Sequence, residues 1–198
     1  MSLKILLFFA LGVFAGIAGW SGLLPVETDL SRYALYLLML LVGISIGADS
    51  TSLLVLKEQG LRLLILPAST VAGTLGGVMI IAFFLHGIST QEALAVGAGF
   101  GYYSLSSIII SELHSDVLGV TALLSNVSRE ILTLLLAPLM VVFFGKLSPV
   151  AAAGATSMDT TLPVITAVSG KDVAVVALLH GIVLTLLVPL LVSFILWV

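Results

Sequence analysis

Cysteine is absent from this sequence. That excludes disulfides, thiol catalysis and thiolate metal sites. Charge is scarce as well. Lys, Arg, Asp and Glu make up 9% of the residues, against about 25% in a soluble domain. So few charges cannot cover a water-facing surface. No basic patch argues for nucleic acid as a partner, and the formal net charge of -3 says little about partners. There is no Ser/His/Asp triad, phosphate loop or His-Glu-x-x-His motif, so no enzyme chemistry is indicated and neither a cofactor nor a metal is expected. Strict apolar–polar alternation is missing, which argues against a transmembrane β-barrel.

What the chain has is apolar length. Hydrophobic residues make up 60% of it, with a mean hydropathy of +1.30. They fall in runs near 5–24, 33–48, 63–85, 118–144 and 173–198. A helix needs about 20 residues to cross the bilayer core. The first run resembles a signal peptide, but it is long for that role and no clean cleavage site follows. It reads as the first membrane helix.

Two further stretches, 91–115 and 148–169, are apolar but interrupted. The first holds Gly97, Gly99 and Gly101, then Tyr102, Tyr103, Ser104, Ser106 and Ser107. The second reads Gly154-Ala-Thr-Ser-Met-Asp159-Thr-Thr-Leu-Pro163 at its centre. Glycine and serine at this density break a helix. Broken backbone at membrane depth is tolerated only where protein or a water-filled cavity covers it, and such breaks point to a transport site. Each stretch is either a crossing with an unwound centre or a re-entrant hairpin. The preferred arrangement is two hairpins entering from opposite faces. The expected fold is therefore an all-α integral membrane protein, a single transmembrane transport domain over 1–198, with about five full crossings and two broken or re-entrant segments. Lys4, Lys57, Arg62 and Lys171 are expected on one side and Arg32 and Lys146 on the other, which puts the N-terminus in the cytoplasm.

Charges inside apolar segments are functional candidates, because each costs at least about 2.5–3.5 kcal/mol to insert. Arg129 and Glu130 lie mid-segment. With Asn126 and Thr133 they form a stripe at helical spacing that must face the bundle interior. A buried charge that only fixes packing is the competing reading. Asp159 sits among Ser157, Thr160 and Thr161, where it could bind a cation, carry a proton, or merely cap the half-helix that starts near Pro163. His180 is either a proton relay or a hydrogen-bonded structural histidine. Glu112, His114 and Asp116 read as a solvated turn rather than a metal cluster. The pairs Gly12/Gly16, Gly43/Gly47 and Gly73/Gly77 have small-xxx-small spacing and read as packing.

These residues carry a resemblance. Leu41-Val-Gly-Ile-Ser, Gly99-Phe-Gly-Tyr-Tyr-Ser-Leu-Ser106, Asn126-Val-Ser-Arg-Glu-Ile131, Gly154 to Val164 and His180-Gly-Ile-Val-Leu occur in order along most of the chain. In them the sequence resembles the lysine exporter LysO family, most specifically at Gly154 to Val164. The resemblance implies an inner-membrane exporter of L-lysine that exchanges it for protons. It also implies that Glu130 and Asp159, in the family's Arg-Glu and Ser-Met-Asp motifs, are the acids needed for transport. Longer members carry an additional N-terminal hydrophobic module that this chain does not match, which implies that a homodimer or a separate small membrane subunit completes it. Some members have Asp at the position of Asn126, so substrate or coupling ion can differ.

The expected function is thus secondary export of L-lysine or a related cationic amino acid, coupled to protons, with sodium an alternative ion. Glu130 and Asp159 would alternate between substrate and proton. Arg129 would tune them, and Asn126, Ser104, Ser157 and Thr160 would complete the site. The other reading is a non-transporting membrane subunit that assembles with a partner.

Overall fold

The computed structural model describes residues 64–197 and the isolated positions 14, 17, 18 and 40. Apart from those positions, the expected crossings at 5–24 and 33–48, the charged loop that follows them and the pairs Gly12/Gly16 and Gly43/Gly47 lie outside the described residues. The elements below all belong to the compact unit formed by residues 43–198.

Every regular element among the described residues is helical: α1 (Ile65–Ala82), α2 (Thr90–Gly97), α3 (Tyr103–Leu113), α4 (Asp116–Phe144), α5 (Ser148–Ala153), a 3-10 turn (Gly154–Met158), α6 (Leu162–Ser169) and α7 (Asp172–Trp197). Three of them, α1, α4 and α7, are long and apolar enough to cross a membrane. The 29 residues of α4 span about 43 Å at 1.5 Å per residue. Ser115 starts that helix by accepting from the Leu118 N–H at 3.3 Å, and Asp116 adds a negative charge to its first turn. It stops at Gly145, whose φ of +86° suits a residue without Cβ.

The first broken segment doubles back. Glu92, in the first turn of α2, lies 2.8 Å from His114, just past the end of α3, although they are 22 residues apart. A continuous crossing would separate them by about 33 Å. Gln91 donates to the Ile195 carbonyl at 2.7 Å, so the base of this hairpin sits at the C-terminal end of α7. The second broken segment doubles back at the other end. Val150 and Ala153 of α5, Ile165 of α6, and Val173 and Ala177 of α7 share one buried cluster, with Leu66 of α1 packed against it. Both arms thus flank the start of α7. The two hairpins enter from opposite ends of the bundle, the inverted arrangement that the sequence favours.

This topology corrects one expectation. Charge counting puts Lys146 opposite Lys171. In the structure Lys146 follows α4 at the end where the second hairpin begins, and Lys171 follows that hairpin. Because the segment between them returns instead of crossing, both lysines lie at the same end.

Close helix contact is made by Gly97 and Gly181. A Cβ on Gly97 would come within 2.7 Å of Val78 Cγ2, and one on Gly181 within 2.6 Å of Met158 Cβ. Gly73 and Gly77, expected in packing, have no such neighbour among the described residues. The outer face of α4 exposes Val117, Val120, Leu124, Ile131, Leu135 and Val142. That surface suits lipid tails, which are as apolar as the side chains themselves.

Candidate functional site

The tips of the two hairpins touch. The Ala155 N–H donates to the Phe100 carbonyl at 2.8 Å. A Cβ on Gly154 would collide with that same carbonyl oxygen, and one on Gly101 would lie 2.7 Å from the Ala153 oxygen. Both glycines also have positive φ, +70° and +91°. Only glycine meets both demands at this crossing.

Unwinding two helices frees backbone groups that must find partners. Much of this is supplied by α4. Asn126, 3% exposed, accepts from the Gly101 N–H at 2.7 Å and donates to the Val96 carbonyl at 3.1 Å and the Ala122 carbonyl at 2.9 Å. It closes the first break. One turn on, Arg129 donates through Nε to the Ala152 carbonyl at 2.7 Å and through Nη2 to the Ala151 carbonyl at 3.1 Å. A third contact runs from Nη1 to Thr74 Oγ1 at 3.4 Å. The guanidinium therefore caps the C-terminal, partly negative end of α5. Thr133 donates to the Arg129 carbonyl at 2.8 Å and stays on the buried stripe.

Glu130 is half-buried on the edge of that stripe. Among the described residues it has no hydrogen-bond partner and no cation; the one ion pair there is Glu92 with His114. Asp159 follows the 3-10 turn and is exposed. Its carboxylate accepts from the Thr160 N–H at 2.6 Å and the Thr160 hydroxyl at 3.2 Å. Thr161 donates to the Thr156 carbonyl at 2.8 Å, and α6 starts without a side-chain cap. Neither Asp159 nor Thr161 acts as a cap for that helix. Tyr102 is half-buried at the tip of the first hairpin. Ser104 is exposed in the first turn of α3.

Ser157 and His180 meet at 3.1 Å behind the second tip, both buried. The structure thus brings Asn126 to the first break, Arg129 to the second, and Ser157 to His180. No ion pair joins Glu130, Asp159 and Arg129 to one another among the described residues. Glu112 lies half-buried in the last turn of α3, His114 just past it, and exposed Asp116 opens α4. No group of three His, Asp or Glu among the described residues could hold a metal.

Two contributors are not evident from sequence. Thr70 and Thr74 of α1 reach His180 and Arg129. The one signal for them is a pair of hydroxyls four residues apart, hence on one face, in a helix otherwise almost wholly apolar.

Chemically, the site commits its half-buried cation, Arg129, to peptide carbonyls and leaves two carboxylates with no protein cation among the described residues. Such a constellation suits a cationic ligand or a proton.

Known proteins match this chain along nearly its whole length. The family described as lysine exporter LysO matches residues 6–196. The lysine exporter LysO of Escherichia coli (strain K12) is 36% identical over 195 residues, 98% of this chain and 63% of that protein. A provisionally named lysine exporter of Haemophilus influenzae is 38% identical over 164 residues, 82% of each chain. This chain therefore spans less than two thirds of the Escherichia coli relative. No solved structure matches. With residues 6–196 covered and identities above a third, the chain belongs to the lysine exporter LysO family.

Proposed function

We propose that residues 1–198 form the transport module of a secondary exporter that moves L-lysine or a related cationic amino acid out of the cell in exchange for protons. One observation carries the reading: Glu130 and Asp159 have no cationic partner among the described residues, beside two hairpins that meet tip to tip. A lysine side chain wants a carboxylate, and an exchanger wants a group that titrates. Family membership supports lysine as the solute.

In this reading the two acids alternate between substrate and proton. Arg129 keeps a fixed positive charge nearby and repels a cation once an acid is neutralised. Asn126, Ser104, Ser157 and Thr160 complete the cradle. The protein sits in the inner membrane with a cytoplasmic N-terminus and five full crossings. The first hairpin then opens outward and the second toward the cytoplasm. A second copy or a small membrane partner completes the assembly, and sodium is the alternative coupling ion.

Radiolabelled lysine counterflow in proteoliposomes, under imposed pH or sodium gradients, tests this. Glu130→Gln and Asp159→Asn each abolish transport while the protein still inserts. Unchanged efflux from either variant sinks the assignment. A lone wild-type chain that forms a dimer and moves lysine excludes the other reading, a non-transporting subunit.

A further inference from the structure

His180 is 1% exposed and lies in the third turn of α7. Its Nδ1 is 3.2 Å from the Gly154 carbonyl and 3.1 Å from Ser157 Oγ. Its Nε2 is 3.0 Å from Thr70 Oγ1. A carbonyl oxygen only accepts, so Nδ1 carries the hydrogen. Ser157 donates its own proton to the Ala177 carbonyl at 2.8 Å, so it also meets Nδ1 as an acceptor. In the neutral ring Nε2 is then an acceptor, and the Thr70 hydroxyl donates to it. Both ring nitrogens are matched.

A proton relay needs groups that can take a proton on one side and release one on the other. Beyond Nδ1 this network ends on two peptide carbonyls, Gly154 of the hairpin and Ala177 of α7. Neither hands a proton on. What the ring does hold is the point where the hairpins cross, since Gly154 packs directly against Phe100. The next residue, Gly181, packs against Met158 and the Ala155 carbonyl. Asp159 and Thr160 follow immediately.

We infer that His180 is a positioning residue, not a proton carrier: with Thr70 it ties α1 and α7 to the tip of the second hairpin and so sets where Asp159 and Thr160 stand. This rests on the export reading for its consequence in transport, and on the hydrogen bonds alone for the positioning. Thr70 becomes its partner, a residue in none of the motifs.

The test compares two fluxes in proteoliposomes. Lysine counterflow needs no net proton movement; lysine flux driven by a pH gradient does. For a positioning residue, His180→Ala lowers both together, by about tenfold if one buried hydrogen-bond partner is lost. His180→Asn, which keeps an N–H near Gly154, retains more of both. Thr70→Val alone lowers both, yet adds little on top of His180→Ala, because the two side chains share one contact. Loss of the proton-driven flux with counterflow intact overturns the inference and makes His180 a relay. A second readout needs no transport. Thr160→Cys, placed in this cysteine-free chain, reports the tip by its rate of maleimide labelling in detergent. His180→Ala or Thr70→Val raises that rate several-fold. An unchanged rate in both overturns the positioning role. A wild-type chain without lysine counterflow refutes the export reading, while the labelling rate still decides the role of His180.

Discussion

The carboxylate of Glu92 and the imidazole of His114 lie 2.8 Å apart, one opening α2 and the other just beyond α3. That contact makes the first broken segment a hairpin, and the cluster around Val173 does the same for the second. Both ends of each hairpin must then be reached from one side of the membrane. In single-cysteine variants, Thr90→Cys and Leu113→Cys should react with an impermeant maleimide from one side. Lys146→Cys and Lys171→Cys should react from the other. Labelling of Thr90→Cys and Leu113→Cys from opposite sides would show a crossing segment instead.

The same contact predicts an acid response. The Ser89 backbone N–H, then the Ser89 hydroxyl, then His114 hold the Glu92 carboxyl below the usual glutamate range. A carboxyl depressed in the folded state binds fewer protons there than in the unfolded chain. Its contribution is complete above the unfolded value of about 4.3 and disappears as pH falls through the lower folded value. Acid therefore loosens the hairpin base. Glu92→Gln should flatten the acid limb of a plot of Tm against pH, with a loss at pH 7 of less than about 1 kcal/mol because the pair is solvated. An acid limb identical to that of the parent chain would remove Glu92 from this role.

Asn126 and Arg129 serve the two hairpins in parallel. Each donates to C-terminal carbonyls of a first arm, Val96 for one and Ala151 with Ala152 for the other. Asn126→Ala strands the Gly101 N–H, at a cost of about 1–3 kcal/mol. Arg129→Lys should also destabilise, since one ammonium cannot match a planar fork on two successive carbonyls. Arg129→Ala should cost more again. Thermal unfolding in detergent ranks these variants. Wild-type stability in Asn126→Ala would mean that the break does not depend on that side chain.

Much of this arrangement is legible in the amino-acid sequence. Glycine and serine density locates both breaks, the cost of burying charge singles out Arg129 and Glu130, and helical spacing adds Asn126 to their stripe. Whether a broken stretch crosses or returns is not legible. Composition is the same either way, and the answer lies in contacts such as Glu92 with His114, far apart in sequence. Loop charge alone misplaces Lys146 for that reason. Arg129 carries a charge signal, but its partners are backbone carbonyls, which leave no trace in residue type. Thr70 and Thr74 are hidden because a hydroxyl in an apolar helix commonly bonds its own preceding turn.

The close approach of α1 and α2 gives a last prediction. A Cβ built on Gly97 lies 3.5 Å from Val78 Cβ, at the short end of the range of about 3.5–4.5 Å that disulfides use. The obstacle to any side chain at Gly97 is Val78 Cγ2 at 2.7 Å, and Val78→Cys removes it. Because the chain has no other cysteine, Val78→Cys with Gly97→Cys should form one intramolecular disulfide under mild oxidation, seen as protection from maleimide that reductant reverses. Asn126 also fixes the end of α2 through Val96, so the arm already rests on α1 and α4. Lysine flux in the oxidised protein should then equal that in the reduced protein. Flux blocked by oxidation and restored by reductant would show instead that α2 swings away from α1 in each transport cycle.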